Sequence, residues 1–261
     1  MKPKEPNTSS GQDDKLATHY KEVISFELRG FNPRSRAQYF WRLTRTKIVL
    51  KNLDLKYFNK RTQTTVADVG SGPGLATAFF AKRGYKMRLY DRCKPFLLFA
   101  QESYKKQGID AEFIFADIDK DTAIFQRNGC DAVICIDAFE HFKDPVQVLR
   151  HFLLLLGNKG RVYLTTPNFG NRVFSLIEKA WDVVGRTPGW SDLHITRMSF
   201  NEMVSLFKNA GFKIENAGTF LLLSPLIAVV STRLANVVSY LENFFLRNFH
   251  VGFMMYIVAS I

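Results

Sequence analysis

Residues 65–74 restrict the fold more tightly than any other stretch of this chain. A short β-branched run from Thr65 to Val69 carries Asp68 and leads directly into Gly70, Gly72 and Gly74, and a helical pattern begins at Leu75. A buried strand that ends in a glycine turn lets a ligand approach the backbone where side chains would block it. The helix that follows points its N-terminal N–H groups at that ligand. The spacing is not that of the dinucleotide turn G-x-G-x-x-G, which requires glycine at the position held by Leu75. A tight strand-to-helix turn that binds nothing is the competing reading of a lone glycine loop.

The rest of the chain favours a ligand. From Thr65 onward, short apolar runs alternate with amphipathic segments, the pattern of a parallel sheet with crossover helices. Strands are expected at Thr65 to Val69, Met87 to Tyr90, Glu112 to Phe115, Ala132 to Ile136 and Arg161 to Thr165. Helices are expected at about Leu75 to Arg83, Pro95 to Lys106 and Pro145 to Leu156, with a turn over Gly157 to Gly160. Asp68, Asp91, Asp117 and Asp137 all fall at or near strand ends, the rim where open parallel sheets bind ligands. Carboxylates sharing one edge repel unless a cation or hydrogen-bond donors separate them. Asp91 lies 21 positions past Gly70, where an acid can accept both hydroxyls of a ribose, a spacing that also suits NAD.

Asp68 with Gly70, Gly72 and Gly74 resembles the first motif of the class I S-adenosylmethionine-dependent methyltransferases. The resemblance implies a Rossmann-like α/β fold: a seven-stranded, mostly parallel sheet with an antiparallel last strand, an N-terminal helical lid and a helical insertion between strands six and seven. It implies S-adenosyl-L-methionine as cofactor, its charged amino-acid end over the glycine loop. The implied binding residues are Asp68, Gly70, Ser71, Gly72, Gly74, Asp91, Arg92, Asp117, Ile118, Asp137 and Ala138, with Asp91 on the ribose and Asp117 and Ile118 at the adenine amino group.

After strand four the chain reads Asp137-Ala138-Phe139-Glu140-His141-Phe142, then Lys143-Asp144-Pro145. That departs from the Asn/Asp-Pro-Pro-aromatic tetrapeptide of enzymes that methylate base amino groups. It resembles the Glu-His signature of the small-molecule and lipid branch, which includes the ubiquinone-pathway O-methyltransferases, as does Thr165-Thr166-Pro167-Asn168. The match covers Val66 to Asn168 well and the remainder loosely. It implies O-methylation of a hydrophobic or lipid-linked acceptor, such as a quinone precursor or a prenyl or glycolipid intermediate. A sulfonium methyl is already electrophilic, so the protein has to align an oxygen and remove its proton. His141 is the candidate base, with an ordinary imidazole pKa near operating pH. Glu140 could orient it or hold substrate, and His194 is a second candidate; a structural role for Glu140 and His141 competes. No metal site is expected.

Charge points to a surface partner. Ten basic residues stand against Asp54 alone between Arg29 and Arg61, in a chain of net charge +12. An anionic membrane surface or nucleic acid would suit such an excess, and a solvated helical face would also produce it. RNA methylation is therefore one alternative function, and a non-catalytic cofactor-binding module is another. Residues 1–14 read as a disordered tail, 15–62 as a basic helical segment broken at Asn32-Pro33, and 63–261 as the catalytic domain. Residues 169–198 form a substrate-side excursion, with a helix over Val173 to Val184. Pro225 to Arg247 has helical periodicity, with Leu226, Val230, Leu234, Val237, Leu241 and Phe244 on one side and Ser231, Asn236, Ser239 and Asn243 largely on the other. It is too interrupted to cross a bilayer and is read as lying in the interface or packing on its own domain. Cys93, Cys130 and Cys135, an odd number without C-x-x-C spacing, fit the cytosol, with attachment to the inner face of a membrane.

Overall fold

The computed structural model describes residues 21–57, 64–125, 129–171, 173–174, 194–245 and 249–261. The tail expected over 1–14 and most of the 169–198 excursion, including most of the helix expected over Val173 to Val184, lie outside them. Helix α1 (21–30) and α2 (Arg36–Tyr57) flank a break at Asn32-Pro33. The sheet follows: β1 (Thr65–Val69), α3 (Thr77–Ala81), β2 (Lys86–Asp91), α4 (Lys94–Gln107), β3 (Ala111–Phe115), α5 (Thr122–Phe125) and β4 (Cys130–Ile136). Then come a 3-10 turn (Phe139–His141), α6 (Pro145–Leu155), β5 (Leu156–Pro167), α7 (Phe200–Asn209), β6 (Lys213–Phe220), α8 (Ser224–Ile227), α9 (Thr232–Phe245) and β7 (Met254–Ser260).

The seven strands lie in the order β3-β2-β1-β4-β5-β7-β6. The pairs among β1 to β5 are parallel, and β7 runs antiparallel to both β5 and β6. The order reverses between β1 and β4, which opens a crevice at their carboxyl ends. Side chains alternate across the sheet. Ala67 and Val69 join one core with Leu149, Phe152 and Phe207, while Val66 joins another with Leu53, Phe80 and Tyr104 on the α2, α3 and α4 side. The expected fold is the observed one.

Local chemistry sets the helix ends. Asp144 caps α6 through the Gln147 amide, with Pro145 in the first turn. Ser199 and Glu202 form a reciprocal capping box on α7. Two boundaries differ from expectation. The helix after the glycine loop is shorter, Thr77–Ala81, because the positive-φ glycines carry the turn to residue 74. The turn at 157–160 is absorbed into β5 as a bulge: Cys130 pairs with Leu156 and Ala132 with Arg161, leaving those residues opposite Asp131.

Helix α9 reverses an ordinary expectation. Its buried side is Ala235, Ser239 and Glu242, and its apolar stripe faces outward. The Glu242 carboxylate explains the reversal by accepting the amides of Leu222, Leu223 and Ser224 and the Ser224 hydroxyl. Those donors lie at the start of α8, where main-chain N–H groups otherwise lack partners. The expectation that this helix could bury its apolar side on its own domain fails.

Candidate active site

The site is built around the loop after β1. Gly70 adopts φ 74° and Gly72 φ 54°, both in the left-handed region. A Cβ on Gly70 would lie 2.4 Å from the Ala138 Cβ, so this approach of two strand-end loops requires glycine. The Gly72 amide donates to Asp91 Oδ2 at 2.7 Å, and the Cys93 amide donates to Oδ1 at 2.7 Å. One carboxylate thereby ties the ends of β1 and β2 together. Burial pushes the Asp91 pKa up, and these two amides pull it back.

Asp68 lies beneath the loop. It is buried, accepts a hydrogen bond from Thr77 Oγ1, and its pKa is pushed up to about 7 by burial. The neighbouring Tyr104 hydroxyl donates to the Gly74 carbonyl at 2.8 Å. Asp68 and Gly74 shape the loop from below and do not line the cavity above it.

The end of β4 carries the strain of the site. Asp137 takes φ 52°, rare for a non-glycine residue. Its carboxylate forms an ion pair with Arg45, which reaches in from α2. Burial outweighs the attraction of Arg45 and lifts the Asp137 pKa to about 6, while burial lowers that of Arg45. Asp137 Oδ1 and Ser71 Oγ are buried polar atoms with no hydrogen-bond partner within the described residues. Such atoms are costly unless a ligand completes them.

These loops and α1 and α2 enclose a cavity of about 650 Å³. Of the expected cofactor residues, Gly70, Ser71 and Gly72 line it, as do Asp91, Arg92, Ile118, Asp137 and Ala138. Asp117 does not: its carboxylate accepts the Asp119 amide and pairs with Lys120. The neighbouring Ile118 is fixed instead, its carbonyl 2.7 Å from Nδ1 of buried His151. His151 had no role in the sequence reading, since its function is to hold a backbone 33 residues away.

The three expected catalytic residues come together. Glu140, His141 and His194 line the same cavity, with the two imidazole centroids 5.2 Å apart. Thr166 Oγ1 donates to Glu140 Oε2 at 2.8 Å. The Glu140 carbonyl accepts the Ile195 and Thr196 amides at 2.8 and 2.9 Å, which pins the His194 segment to the 3-10 turn. The lid expected from α2 also forms a wall, through Trp41, Arg42 and Arg45. Its basic character is partly internal, because Arg42 pairs with Glu27 and Arg45 with Asp137. Pro225, Leu226 and Val229 complete the rim, a contribution of the C-terminal insertion that the sequence reading did not anticipate.

A family model described as a methyltransferase domain matches residues 67–164. A ubiquinone biosynthesis O-methyltransferase from Xanthomonas axonopodis pv. citri is 25% identical over 176 residues, covering 66% of this chain and 73% of that protein. Among solved structures, magnesium protoporphyrin IX methyltransferase from Synechocystis PCC 6803 with bound SAH is similar over 95% of this chain and 99% of its own, with TM-score 0.60 and 14% identity. A SAM-dependent methyltransferase from Aquifex aeolicus is similar over 80% and 88%, with TM-score 0.53 and 15% identity. At these identities the structural likenesses speak to the fold.

Proposed function

Because the chain is a class I S-adenosylmethionine-dependent methyltransferase, we propose that it methylates an oxygen of a hydrophobic small molecule met at a membrane surface. When bound, S-adenosylmethionine supplies a sulfonium methyl open to in-line displacement. Asp91, already oriented by two amides, accepts the ribose hydroxyls. The Ser71 hydroxyl and the open oxygen of Asp137 meet the polar amino-acid end, which matches the donors and acceptors these two buried atoms need. Ala116 and Ile118 form an apolar bed for adenine. The acceptor oxygen lies toward Glu140, His141 and His194, and an imidazole there takes up its proton.

The observation that carries the acceptor class is the continuity between the cavity and the exposed apolar face of α8 and α9. Leu226 and Val229 line the cavity and are also 57% and 61% exposed. The same face continues through Leu234, Val237, Leu241 and Phe244, all exposed. Burying such side chains in acyl chains stabilises by roughly 1.5–3 kcal/mol each when complete. Arg36 donates to the Val230 carbonyl at 3.0 Å, which sets basic α2 beside this face, where anionic headgroups would meet it. No helix among the described residues is long and apolar enough to cross a membrane. The attachment is therefore interfacial. The 25% identical ubiquinone-pathway relative supports oxygen as the nucleophile.

The test is mass spectrometry of a lipid extract incubated with protein and isotope-labelled methyl donor. Label in an organic-soluble methyl ether is expected. Label confined to the aqueous phase and abolished by ribonuclease would replace this reading with RNA methylation.

A further inference from the structure

We propose that His151 is a positioning residue for the adenine ring of the cofactor, acting from behind the cavity wall through Ile118 and Phe125. The proposal rests on the reading above that adenine lies on Ala116 and Ile118. His151 belongs to α6, is fully buried and does not itself line the cavity. Its ring joins three segments. Nδ1 lies 2.7 Å from the Ile118 carbonyl in the loop after β3. Nε2 lies 3.0 Å from Thr122 Oγ1 on α5 and 2.9 Å from the Gln147 side-chain nitrogen one turn earlier on α6. The ring stacks on Phe125 at 4.8 Å and 16°, and Phe125 packs in turn on Tyr90 at 5.5 Å. Ile118, Phe125 and Tyr90 all line the cavity.

These contacts fix the tautomer. A carbonyl can only accept, so Nδ1 carries the proton that faces Ile118. An amide nitrogen can only donate, so Nε2 is the acceptor, with the Thr122 hydroxyl beside the same lone pair. The peptide between Ile118 and Asp119 is thereby held at both ends. Its carbonyl accepts from His151, and its N–H donates to Asp117 Oδ1 at 3.1 Å. Asp117, which does not reach the cavity, contributes here from outside it. A wall tied in this way cannot shift without leaving a buried carbonyl and a buried ring nitrogen unpaired, and both are costly. Groups that touch a ligand keep their geometry only when a supporting layer locks them.

The sheet order β3-β2-β1-β4 sets which end of the cofactor this wall serves. Ile118 follows β3 and Tyr90 ends β2, whereas Glu140 and His141 follow β4. A change at His151 therefore reaches the base and leaves the methyl-transfer end in place. The Michaelis constant for S-adenosylmethionine should rise while turnover at saturating cofactor is kept.

The experiment is calorimetry of the full-length protein with S-adenosylhomocysteine and with its hypoxanthine analogue, in which a ring carbonyl replaces the amino group and N1 gains a proton. His151→Leu should weaken binding of the adenine compound about 10-fold, the worth of one misplaced hydrogen bond, and should narrow the preference for adenine over hypoxanthine. His151→Asn, whose side-chain amide can still donate to the Ile118 carbonyl, should restore most of both. Thr122→Val keeps its shape and frees the tautomer, so it should move both readouts in the same direction and serves if His151→Leu fails to fold. Imidazole ¹⁵N spectra of the wild type should place the proton on Nδ1, and a proton on Nε2 would contradict the arrangement. Equal weakening of the two ligands, or unchanged affinity, would overturn the proposal, provided that Ile118→Ala weakens the adenine compound. If Ile118→Ala also leaves that affinity unchanged, the placement of adenine is what falls.

Discussion

The glycine-loop rim and the C-terminal helix α9 use opposite solutions for their polar groups. At the rim, polar atoms converge on a cavity from the ends of β1, β2 and β4, and the apolar side chains lie behind them in the sheet core. In α9 two polar side chains, Ser239 and Glu242, turn inward, Glu242 gripping the start of α8, and the large apolar side chains Leu234, Val237, Leu241 and Phe244 turn out. On the proposed reading the rim receives a polar cofactor and the helix an apolar environment. Periodicity identifies an apolar side, but which way it points depends on what the polar side can bind.

The sharpest way to break this comparison is the double substitution of Leu234 and Phe244 by aspartate. Both are exposed, at 54% and 70%, so the melting temperature should stay unchanged. Losing about 2 kcal/mol of acyl-chain burial at each should reduce binding to anionic vesicles by on the order of 1000-fold, measured by co-sedimentation. Asp91→Ala tests the other half. Removing two charge-assisted hydrogen bonds at roughly 1.5 kcal/mol each should weaken S-adenosylmethionine binding about 100-fold by calorimetry. Unchanged affinity would remove Asp91 from the ribose.

Smaller effects follow from the buried charges between these regions. Arg45→Met leaves Asp137 without its cation, at a cost of about 2 kcal/mol near pH 8, below the ~3–5 expected for a stripped buried pair because Asp137 can take up a proton. Wild-type and variant stabilities should therefore converge as pH falls below the native Asp137 pKa of about 6. Asp68 spreads its signal over the widest pH range. Its native pKa of about 7 lies above the 3.8 of an open aspartate, so between these values the folded chain holds a proton that the unfolded chain has released. Its contribution makes stability fall as pH rises through that window, by at most about 1.4 kcal/mol per pH unit, and Asp68→Asn should flatten the slope in urea melts.

The sheet was legible because β-branched runs, glycine turns and strand-end acids are local signals. The rim of the cavity was legible for the same reason, with Gly70, Ser71, Gly72, Asp91 and Asp137 all lining it. Asp68 and Asp117 share the strand-end position but not the orientation: Asp68 points under the loop, and Asp117 is occupied by Asp119 and Lys120. Spacing places a residue at an edge without choosing the face. Arg45 and His151 act across 92 and 33 residues respectively, and such partners leave no trace in local pattern. The orientation of α9 depended on Glu242, which looked like an interruption of an apolar run.

The account's central claim, that a hydrophobic acceptor enters beside an exposed apolar helix, is tested most directly by transfer of labelled methyl groups into total lipid extract. The same extract is presented in anionic vesicles and in detergent micelles. The wild type should label both, whereas the Leu234→Asp, Phe244→Asp variant should lose labelling of vesicles and retain it in micelles. Equal labelling of vesicles by the two proteins would contradict it.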